Sequence, residues 1–248
     1  MNILVCVSRV PDTATRIIVG PDGKSIDNKG IKFVVNPYDE FAIEEGLRLR
    51  EKNGGTVTAV TVGGDEAKEQ LRTSLAMGVD KAVLIKSCEQ KDSFAAANNI
   101  AEYAKELSPD IIFLGRQSVD YDSFQMASAL GELLGLPSVS VVSKLTVENG
   151  KAIAERDIEG GKEIVEASLP CLISAQKGLN DPRYPKLPDI MKAKSKPIEE
   201  RNPVSAEDRV TVLSMSIPSK QRANKIKGDT DSDIEEVVRL LHEEAKVI

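Results

Sequence analysis

The sequence contains a single histidine and no tryptophan, and both absences limit the chemistry that the chain can perform. The histidine, His242, lies near the C-terminus in a polar, helix-like stretch, so no Ser-His-Asp or Cys-His catalytic unit can form elsewhere. Histidine-rich metal sites are excluded for the same reason. Aromatic residues make up only 4% of the chain, which argues against a platform that stacks nucleic-acid bases.

Cysteine, positive charge and long apolar runs are also scarce. Cys6, Cys88 and Cys171 are too few and too far apart for a disulfide framework or a zinc site. A formal charge of −6 and a pI near 5.1 argue against nucleic acid, because neutralising phosphates needs a basic footprint. No apolar run of about 18 residues could span a membrane, and the N-terminal residues do not resemble a signal peptide. We therefore expect an intracellular protein with neither nucleic-acid binding nor membrane insertion.

The 248 residues, 41% of them hydrophobic, suit one large globular domain or two small ones. Short runs rich in Val, Ile and Leu alternate with amphipathic stretches, as in buried parallel strands connected by helices. The strand candidates are residues 2–8, 56–62, 81–86 and 110–114, and the helix candidates are residues 37–52, 65–77, 92–107 and 122–134. This alternation predicts a doubly wound α/β sheet with right-handed crossovers.

Capping residues mark the starts of two of these helices. Asn36 followed by Pro37 predicts an N-cap with proline at the first helical position, and capping alone explains the stretch from Asn36 to Asp39. Asp122, with Gln125 three residues later, resembles a capping box. The second signal predicts that a helix begins directly after Asp122.

The pattern changes after Pro137. Three extended segments follow, and Asn149-Gly150 between the first two is a strong hairpin signal, so part of the sheet is expected to be antiparallel. The segments are residues 138–147, 151–158 and 162–176. Residues 178–203, rich in Pro, Lys and Asn, predict a long functional loop or a linker. An amphipathic helix at roughly 232–245 either embraces a partner or folds back on its own domain.

Ligands of open α/β sheets bind beyond the carboxyl ends of the strands, where the strand order reverses. With the order 3-2-1-4-5, that point lies at residues 6–9 and 115–122. The second loop offers free backbone N–H groups and a helix dipole, both suited to a phosphate. Neither GxGxxG nor a P-loop is present, so a nucleotide site and an ordinary βα loop both remain open. Asp120 and Asp122 would repel a phosphate and fit better as N-caps or as acceptors for ribose hydroxyls.

Leu187 is an apolar residue within a polar, basic stretch. The basic residues near it are Arg183, Lys186, Lys192, Lys194 and Lys196. A solvated charged loop is the default interpretation, since exposed leucines are common. An apolar side chain ringed by basic residues would also suit docking on an acidic partner.

Residues 154–165, followed by residues 170–174, resemble the signature of electron transfer flavoprotein beta subunits without a mismatch. The resemblance covers residues 1 to about 200, and the tail matches only in character. Its further matching segments are residues 36–40, 75–80, 114–117, 180–184 and 187–194.

The resemblance implies an adenine-nucleotide-binding, HUP-like α/β fold that pairs with an alpha subunit holding most of a redox-active FAD. Such heterodimers carry electrons from acyl-CoA and other dehydrogenases to a membrane quinone oxidoreductase. In many members the beta subunit also buries one structural AMP. A carrier of this kind needs no acid, base or nucleophile of its own, because the flavin supplies the redox chemistry.

Residue by residue, the resemblance implies an AMP site, a docking loop at about 175–197 and a role for Asp157. The AMP contacts would be Cys6, Asn36, Pro37, Tyr38, Asp39, Val62, Gly115, Arg116, Gln117, Ser118, Val119, Asp120, Tyr121, Asp122, Ser123, Phe124, Gln125 and Met126. The docking residues would be Arg183, Tyr184, Lys186, Leu187, Pro188, Ile190 and Met191. Asp157 stands where relatives have an acidic residue that helps set the position of the mobile flavin domain.

Two departures from the family pattern bear on the cofactor. Thr13 stands where some members place a tyrosine against the flavin, so that stacking role does not transfer. Tyr121 and Phe124 are bulky where flavin-bifurcating relatives, which bind a second FAD in place of AMP and oxidise NADH, have small residues. The bulk favours AMP, with the bifurcating complex as the alternative. A third hypothesis is a stand-alone nucleotide-binding signalling domain, which should be monomeric and soluble alone.

The resemblance also divides the chain. Residues 1–200 are expected to form the nucleotide-binding domain, and residues 201–248 an extended C-terminal arm whose helix packs on the alpha subunit. The expected compartment is a bacterial cytoplasm, or the mitochondrial matrix if the source is eukaryotic.

Overall fold

A nine-stranded sheet organises the fold in a computed structural model that describes residues 1–87, 92–204, 208–218 and 227–248. Cys88 and the parts of the predicted arm at 205–207 and 219–226 lie outside the described residues. The strands of this sheet are β1 (Asn2–Cys6), β4 (Thr56–Gly63), β5 (Lys81–Lys86), β6 (Ile111–Gly115), β7 (Ser138–Glu148), β8 (Lys151–Ile158), β9 (Gly161–Ser168), β10 (Cys171–Ala175) and β11 (Glu199–Arg201). A separate ribbon pairs β2 (Arg9–Pro11) with β3 (Phe33–Val35).

Helices cover both faces of the sheet. They are α1 (Pro37–Asn53), α2 (Lys68–Met77), α3 (Ser93–Leu107), α4 (Met126–Leu134), α5 (Leu187–Ser195) and α6 (Asp231–Arg239), with a 3₁₀ turn at Asp65–Ala67 and a π turn at Leu240–Glu244. Ile3 and Val5 of β1 pack with α1 and α2, whereas Leu4 and Cys6 pack with α3 and α4. Because both faces are buried, these strands need continuous apolar runs rather than alternation with polar residues.

The strand order is β11-β5-β4-β1-β6-β10-β7-β8-β9, which confirms the doubly wound sheet. Strands β5, β4, β1, β6 and β10 are parallel to their neighbours, in the predicted order 3-2-1-4-5. Strand β10 is inserted between β6 and β7 and pairs in parallel with both. Strands β7, β8 and β9 form the predicted antiparallel region.

The extended segment predicted at residues 162–176 is two strands in different parts of the sheet. Strand β9 lies at the sheet edge and is mostly exposed, whereas every residue of β10 is buried at the centre. Pro170 lies between them and has no N–H to donate to a ladder. The prediction therefore joined an exposed edge strand and a buried central strand into one segment.

The helix predicted from residue 122 begins instead at Met126. Asp122 and Phe124 have φ angles of 54° and 56°, in the left-handed region that a right-handed helix excludes. The capping-box interpretation of Asp122 and Gln125 was therefore wrong.

The stretch predicted as a loop or linker at residues 178–203 also carries regular structure. It contains α5, with Pro188 in its first turn, and β11, which extends the sheet beyond β5. Nine residues are too few for strong helical periodicity, and α5 has one buried residue, Ala193, so the sequence signal was weak. No helix among the described ranges is long and apolar enough to cross a membrane.

Replacing Phe113 tests the packing of the central strand. Its side chain is fully buried in β6 on the α1 and α2 face. Phe113→Ala should lower the free energy of unfolding by about 3–5 kcal/mol, because the truncation leaves a cavity. A urea titration followed by circular dichroism measures this. Ile18→Ala, at an exposed position, is the control and should stay within about 0.5 kcal/mol of the wild type.

Candidate functional site

A cavity of about 750 Å³ lies at the carboxyl ends of β1, β4 and β6. This is where the strand order reverses between β1 and β6, as an open α/β sheet favours. Its volume is in the upper part of the range of roughly 300–1,000 Å³ for ligand pockets. The sheet therefore places the predicted binding loops around one common space.

A buried carboxylate, Asp39, holds the two strand ends together. Its Oδ2 accepts a hydrogen bond from the backbone N–H of Ser8 at 2.7 Å. Its Oδ1 accepts from the Nδ2 of Asn36 at 3.0 Å and from the backbone N–H of Gly115 at 2.9 Å. One side chain at the start of α1 thus fixes the chain just after β1 and the end of β6.

Asn36 connects the Asp39 carboxylate to the loop after β6. Its Nδ2 donates to the carbonyl oxygen of Gln117 at 2.8 Å, and its Oδ1 accepts from the backbone N–H of Val119 at 3.2 Å. Asn36 does occupy the N-cap position before Pro37, but its side chain does not cap the helix. The explanation of this stretch by capping alone was therefore wrong: the amide shapes the wall of the cavity.

Gly115 is required by close packing. A Cβ at this position would lie 2.5 Å from Oδ1 of Asp39 and 2.6 Å from the Cβ of Tyr38. Any side chain here would push the strand end away from α1. The glycine therefore permits the hydrogen bond between its own N–H and Asp39.

The loop between β6 and α4 has left-handed residues just before an uncapped helix, a backbone pattern that also occurs in anion-binding turns. Asp122 and Phe124 are left-handed, and Gln125, in the right-handed region, follows them. In anion-binding turns such alternation brings successive backbone N–H groups into one concavity. No side chain caps α4, so the positive end of its dipole faces the cavity at Gln125 and Met126.

Arg116 brings a cation into this wall. Its guanidinium lies over the rings of Tyr38 and Phe124, 4.8 and 4.9 Å from the two centroids. Its Nε, together with Oε1 of Gln117, is buried without a hydrogen-bond partner among the described residues. Buried polar atoms are nearly always paired, so these two atoms are available to a polar ligand or to water in the cavity.

Charges in the cavity wall are strongly influenced by burial. Burial raises the pKa of Asp39 to about 6, although three hydrogen-bond donors favour its ionised form. Burial, and then the charge of Asp39, raise the pKa of the Cys6 thiol far above its usual range. At neutral pH the wall therefore holds a charged carboxylate and a neutral thiol.

Thirteen of the predicted cofactor contacts line the cavity. They are Cys6, Asp39, Val62, Gly115, Arg116, Gln117, Ser118, Asp120, Tyr121, Ser123, Phe124, Gln125 and Met126. Asn36, Pro37, Tyr38, Val119 and Asp122 do not line it. Asn36 and Tyr38 support its wall, and the Asp122 carboxylate accepts a hydrogen bond from Nε2 of Gln117.

Arg9, from the predicted binding loop at residues 6–9, also lines the cavity. The structure adds cavity residues that the sequence did not indicate: Phe33 comes from the small ribbon, and Lys24 and Asn28 come from the loop between its strands. Residues 208–218 contribute Val212 and Met215. These segments are remote in sequence and carry no motif, so only their tertiary placement shows them.

Residues 208–218 are held beside the cavity by backbone contacts. Oδ2 of Asp92, the N-cap of α3, accepts from the backbone N–H of Arg209 at 2.5 Å and of Val210 at 2.9 Å. The N–H of Met215 donates to the carbonyl oxygen of Gly23 at 2.7 Å. This part of the tail thus packs on the α/β domain, whereas α6 has no buried residue.

The predicted docking residues cluster on and before α5. Tyr184, Leu187, Ile190 and Met191 are exposed, as expected of a surface that awaits a partner. Pro188 lies in the first turn of α5, and Lys186 is its N-cap residue. Arg183 differs from the others, because Glu44 and Glu51 of α1 bind its guanidinium.

Asp157 lies on β8, whereas the predicted docking residues lie on and before α5. Its Oδ1 accepts a hydrogen bond from Oγ of Ser143 at 3.1 Å and lies 3.8 Å from Nζ of Lys162. Within the described residues, no cluster of His, Cys, Asp and Glu could hold a metal ion.

Comparisons with known proteins give a consistent result. Residues 24–206 match the model of the electron transfer flavoprotein domain. The chain is 43% identical over 259 positions to electron transfer flavoprotein subunit beta of Bacillus subtilis, with both chains covered in full. It is 37% identical over 257 positions to the mitochondrial beta subunit of Oryza sativa subsp. japonica, again with full coverage. It is 36% identical over 243 positions to the Mus musculus beta subunit, covering 94% of this chain and 95% of that one.

The raised pKa of Asp39 predicts how stability depends on pH. The folded chain holds this proton up to about pH 6, whereas an unfolded aspartate loses it near 3.8. The stability that Asp39 contributes is therefore full below pH 3.8 and is lost as pH rises through 6. Urea unfolding of the wild type and Asp39→Asn is compared between pH 4.5 and 8. The free energy of unfolding of the wild type should fall relative to that of the variant until the pH passes about 6, and the difference should then stay constant. A difference that grew in favour of the wild type with rising pH would contradict this.

Proposed function

Because the chain belongs to the electron transfer flavoprotein family as a beta subunit, we propose that it works in a heterodimer with an alpha subunit and binds AMP in the cavity. In this proposal it also completes the site of an FAD that the alpha subunit holds. The observation that carries the AMP assignment is the loop of residues 116–126, most of which lines the cavity and which leads into the uncapped N-terminus of α4.

The residues of the wall fit an adenine nucleotide. Backbone N–H groups near Gln125 suit a phosphate, and the unpartnered Nε of Arg116 and Oε1 of Gln117 supply a donor and an acceptor. Asp120, which also lines the cavity, suits a ribose hydroxyl. These groups bind and orient, and nothing in this arrangement requires a proton transfer.

The carrier role follows from what the chain contributes. FAD, when bound, supplies the redox chemistry. The residues of this chain would hold a nucleotide, shape the subunit interface and present a docking surface. We propose that electrons come from acyl-CoA and other dehydrogenases and pass to a membrane quinone oxidoreductase, and that the chain itself is not an enzyme.

The second candidate is a second FAD in place of AMP, as in a flavin-bifurcating complex that oxidises NADH. The size of the cavity is compatible with this larger ligand. Tyr121 and Phe124 are both substantially exposed rather than filling the space. Their bulk therefore does not by itself exclude a longer nucleotide.

The tail is proposed to pack on the alpha subunit. Its helix α6 carries Ile234, Val237 and Val238, and Leu241 follows in the π turn at Leu240–Glu244. All four are exposed and recur at the spacing of one helix face. An isolated helix of this length is marginal in water, so this face needs a partner. Because Arg201 belongs to β11 and residues 208–218 pack on the α/β domain, the interface proposal within the arm of residues 201–248 falls on α6 and the residues after it. The proposed compartment is a bacterial cytoplasm or a mitochondrial matrix.

The nucleotide content of the heterodimer tests the assignment. The chain is co-expressed with its alpha subunit, the purified complex is denatured, and released nucleotides are quantified by chromatography. We expect one FAD and one AMP per heterodimer. Two FAD and no AMP would instead establish the bifurcating alternative.

Gly115→Ala tests whether AMP occupies this cavity. The added Cβ would displace Asp39 and Tyr38, so we expect the AMP content to fall at least severalfold with FAD retained. Gly161→Ala is the matched control, because its Cβ would meet nothing within 4 Å. Equal AMP content in both variants would place the nucleotide elsewhere.

Leu187→Ala tests the docking surface. The side chain is exposed at the start of α5 and suits a pocket on a dehydrogenase. Electron transfer from acyl-CoA dehydrogenase at limiting carrier should fall roughly tenfold, with flavin content unchanged. Ile18→Ala, another exposed apolar position, is the control. Undiminished transfer in Leu187→Ala would remove this residue from docking.

A further inference from the structure

Two arginines of this chain hold the segment that carries the exposed apolar residues of the proposed docking surface. We define the docking segment as residues 184–192. Arg183 stands immediately before it, and the backbone immediately after it is bound by Arg72 of α2. This inference rests on the proposed function, since it concerns how that surface is presented to a dehydrogenase.

The contact before the segment is a network centred on Arg183. Its Nε and one terminal nitrogen donate to the two oxygens of Glu44 at 2.8 and 3.0 Å. Both terminal nitrogens also reach Glu51, at 2.6 and 3.2 Å. The backbone N–H of Arg183 adds a bond to Glu44 at 3.1 Å. A planar guanidinium that binds two carboxylates in this way fixes both the position and the orientation of the chain.

The Glu44 side of this network is shielded from solvent. The Glu44 side chain is only 4% exposed, whereas Arg183 and Glu51 are partly exposed. Burial alone would raise the pKa of Glu44, but hydrogen bonds from Arg183, together with one from Arg48, outweigh it and the pKa is lowered. Nearby, Nδ2 of Asn180 donates to the carbonyl oxygen of Phe41 and to Glu45, both at 3.0 Å. The chain is therefore held to α1 at several points before the segment begins.

The contact after the segment closes the end of α5. One terminal nitrogen of Arg72 donates to the carbonyl oxygens of Ala193 and Lys196 at 2.6 and 2.9 Å. Carbonyl groups in the last turn of a helix lack partners within the helix, and a cation there also complements the helix dipole. Nζ of Lys196 adds a bond to the carbonyl oxygen of Val79 at 3.1 Å. The far end of the segment is thus held to α2 and the turn that follows it.

We propose that Arg183 and Arg72 are positioning residues that fix the docking segment in its binding conformation before a dehydrogenase arrives. Arg183 does not contact the partner in this proposal, because its guanidinium is already occupied by Glu44 and Glu51. Its effect passes through Leu187, which is exposed at the start of a short helix that packs on α2 and buries only Ala193. A segment ordered in advance loses less conformational entropy on binding, which favours fast and specific docking.

The test is a double-mutant cycle in the heterodimer with its alpha subunit. The variants are Leu187→Ala, Arg183→Met and the double variant, measured as kcat/KM for reduction by acyl-CoA dehydrogenase. Arg183→Met should lower kcat/KM roughly fivefold, mainly through KM, and should add little once Leu187 is already alanine. Arg72→Met should behave in the same way. Arg183→Lys should restore little, since an ammonium cannot bind both carboxylates in the same geometry.

Arg201→Met is the matched control. Arg201 also lies between two carboxylates, Glu106 and Glu199, but on β11 and outside the docking segment. It should leave kcat/KM unchanged. Hydrogen exchange gives a second readout: the amides of residues 190–193 should exchange faster in Arg183→Met, while those of β1 do not.

Each outcome separates the inference from the proposed function. If Leu187→Ala has no effect, the docking proposal fails whatever the arginine variants do. If Leu187→Ala is impaired but Arg183→Met is unimpaired, or adds its full effect to that variant, the positioning role is overturned. Faster exchange throughout the chain in Arg183→Met would assign the residue to general stability and would equally overturn it.

Discussion

A buried carboxylate, Asp39, determines the geometry of the binding cavity. It accepts hydrogen bonds from the N–H of Ser8, just after β1, and from the N–H of Gly115, at the end of β6. A parallel sheet leaves such N–H groups unpaired at its carboxyl edge, where the strands stop. With Asn36, which continues the network to Gln117 and Val119, the carboxylate converts that loose edge into a fixed wall. Burial raises the pKa of Asp39, which means that its ionised carboxylate is unfavourable in the folded chain at neutral pH. The hydrogen bonds to Ser8, Asn36 and Gly115 partly offset this cost.

The two proposed sites are built differently because they have different tasks. The cavity wall uses backbone N–H groups and buried side chains, which suits a ligand that stays bound. The docking segment exposes Leu187 and Met191 on a short helix and is supported from outside by Arg183 and Arg72. A small apolar surface with basic neighbours suits brief association with several partners. A carrier must release its partner quickly, so a rigid but small surface serves it better than a broad apolar face.

Patterns in the sequence were sufficient for the sheet and for the location of the cavity. Continuous apolar runs predicted β1, β4, β5 and β6 because strands buried on both faces admit few polar residues. The prediction joined β9 and β10 into one segment because both are extended, although β9 carries Lys162, Glu163 and Glu166 and β10 has no charged residue. The signal at Asn36 and Pro37 predicted the start of α1 correctly but not the role of the Asn36 side chain, which binds the loop after β6. The signal at Asp122 was wrong, because residue types that cap helices also adopt left-handed conformations. The roles of Phe33, Val212 and Met215 in the cavity depend on contacts distant in sequence, and no local pattern reports them.

Cys6 lies in the cavity wall between a hydrophobic core and the carboxylate of Asp39, and both raise the pKa of its thiol. The thiolate is the form that reacts with alkylating reagents and peroxides, and it is nearly absent here at neutral pH. A sulfur atom in the cavity wall is thereby kept in its unreactive protonated form. Thiol labelling at this position would consequently report unfolding of the chain rather than occupancy of the cavity.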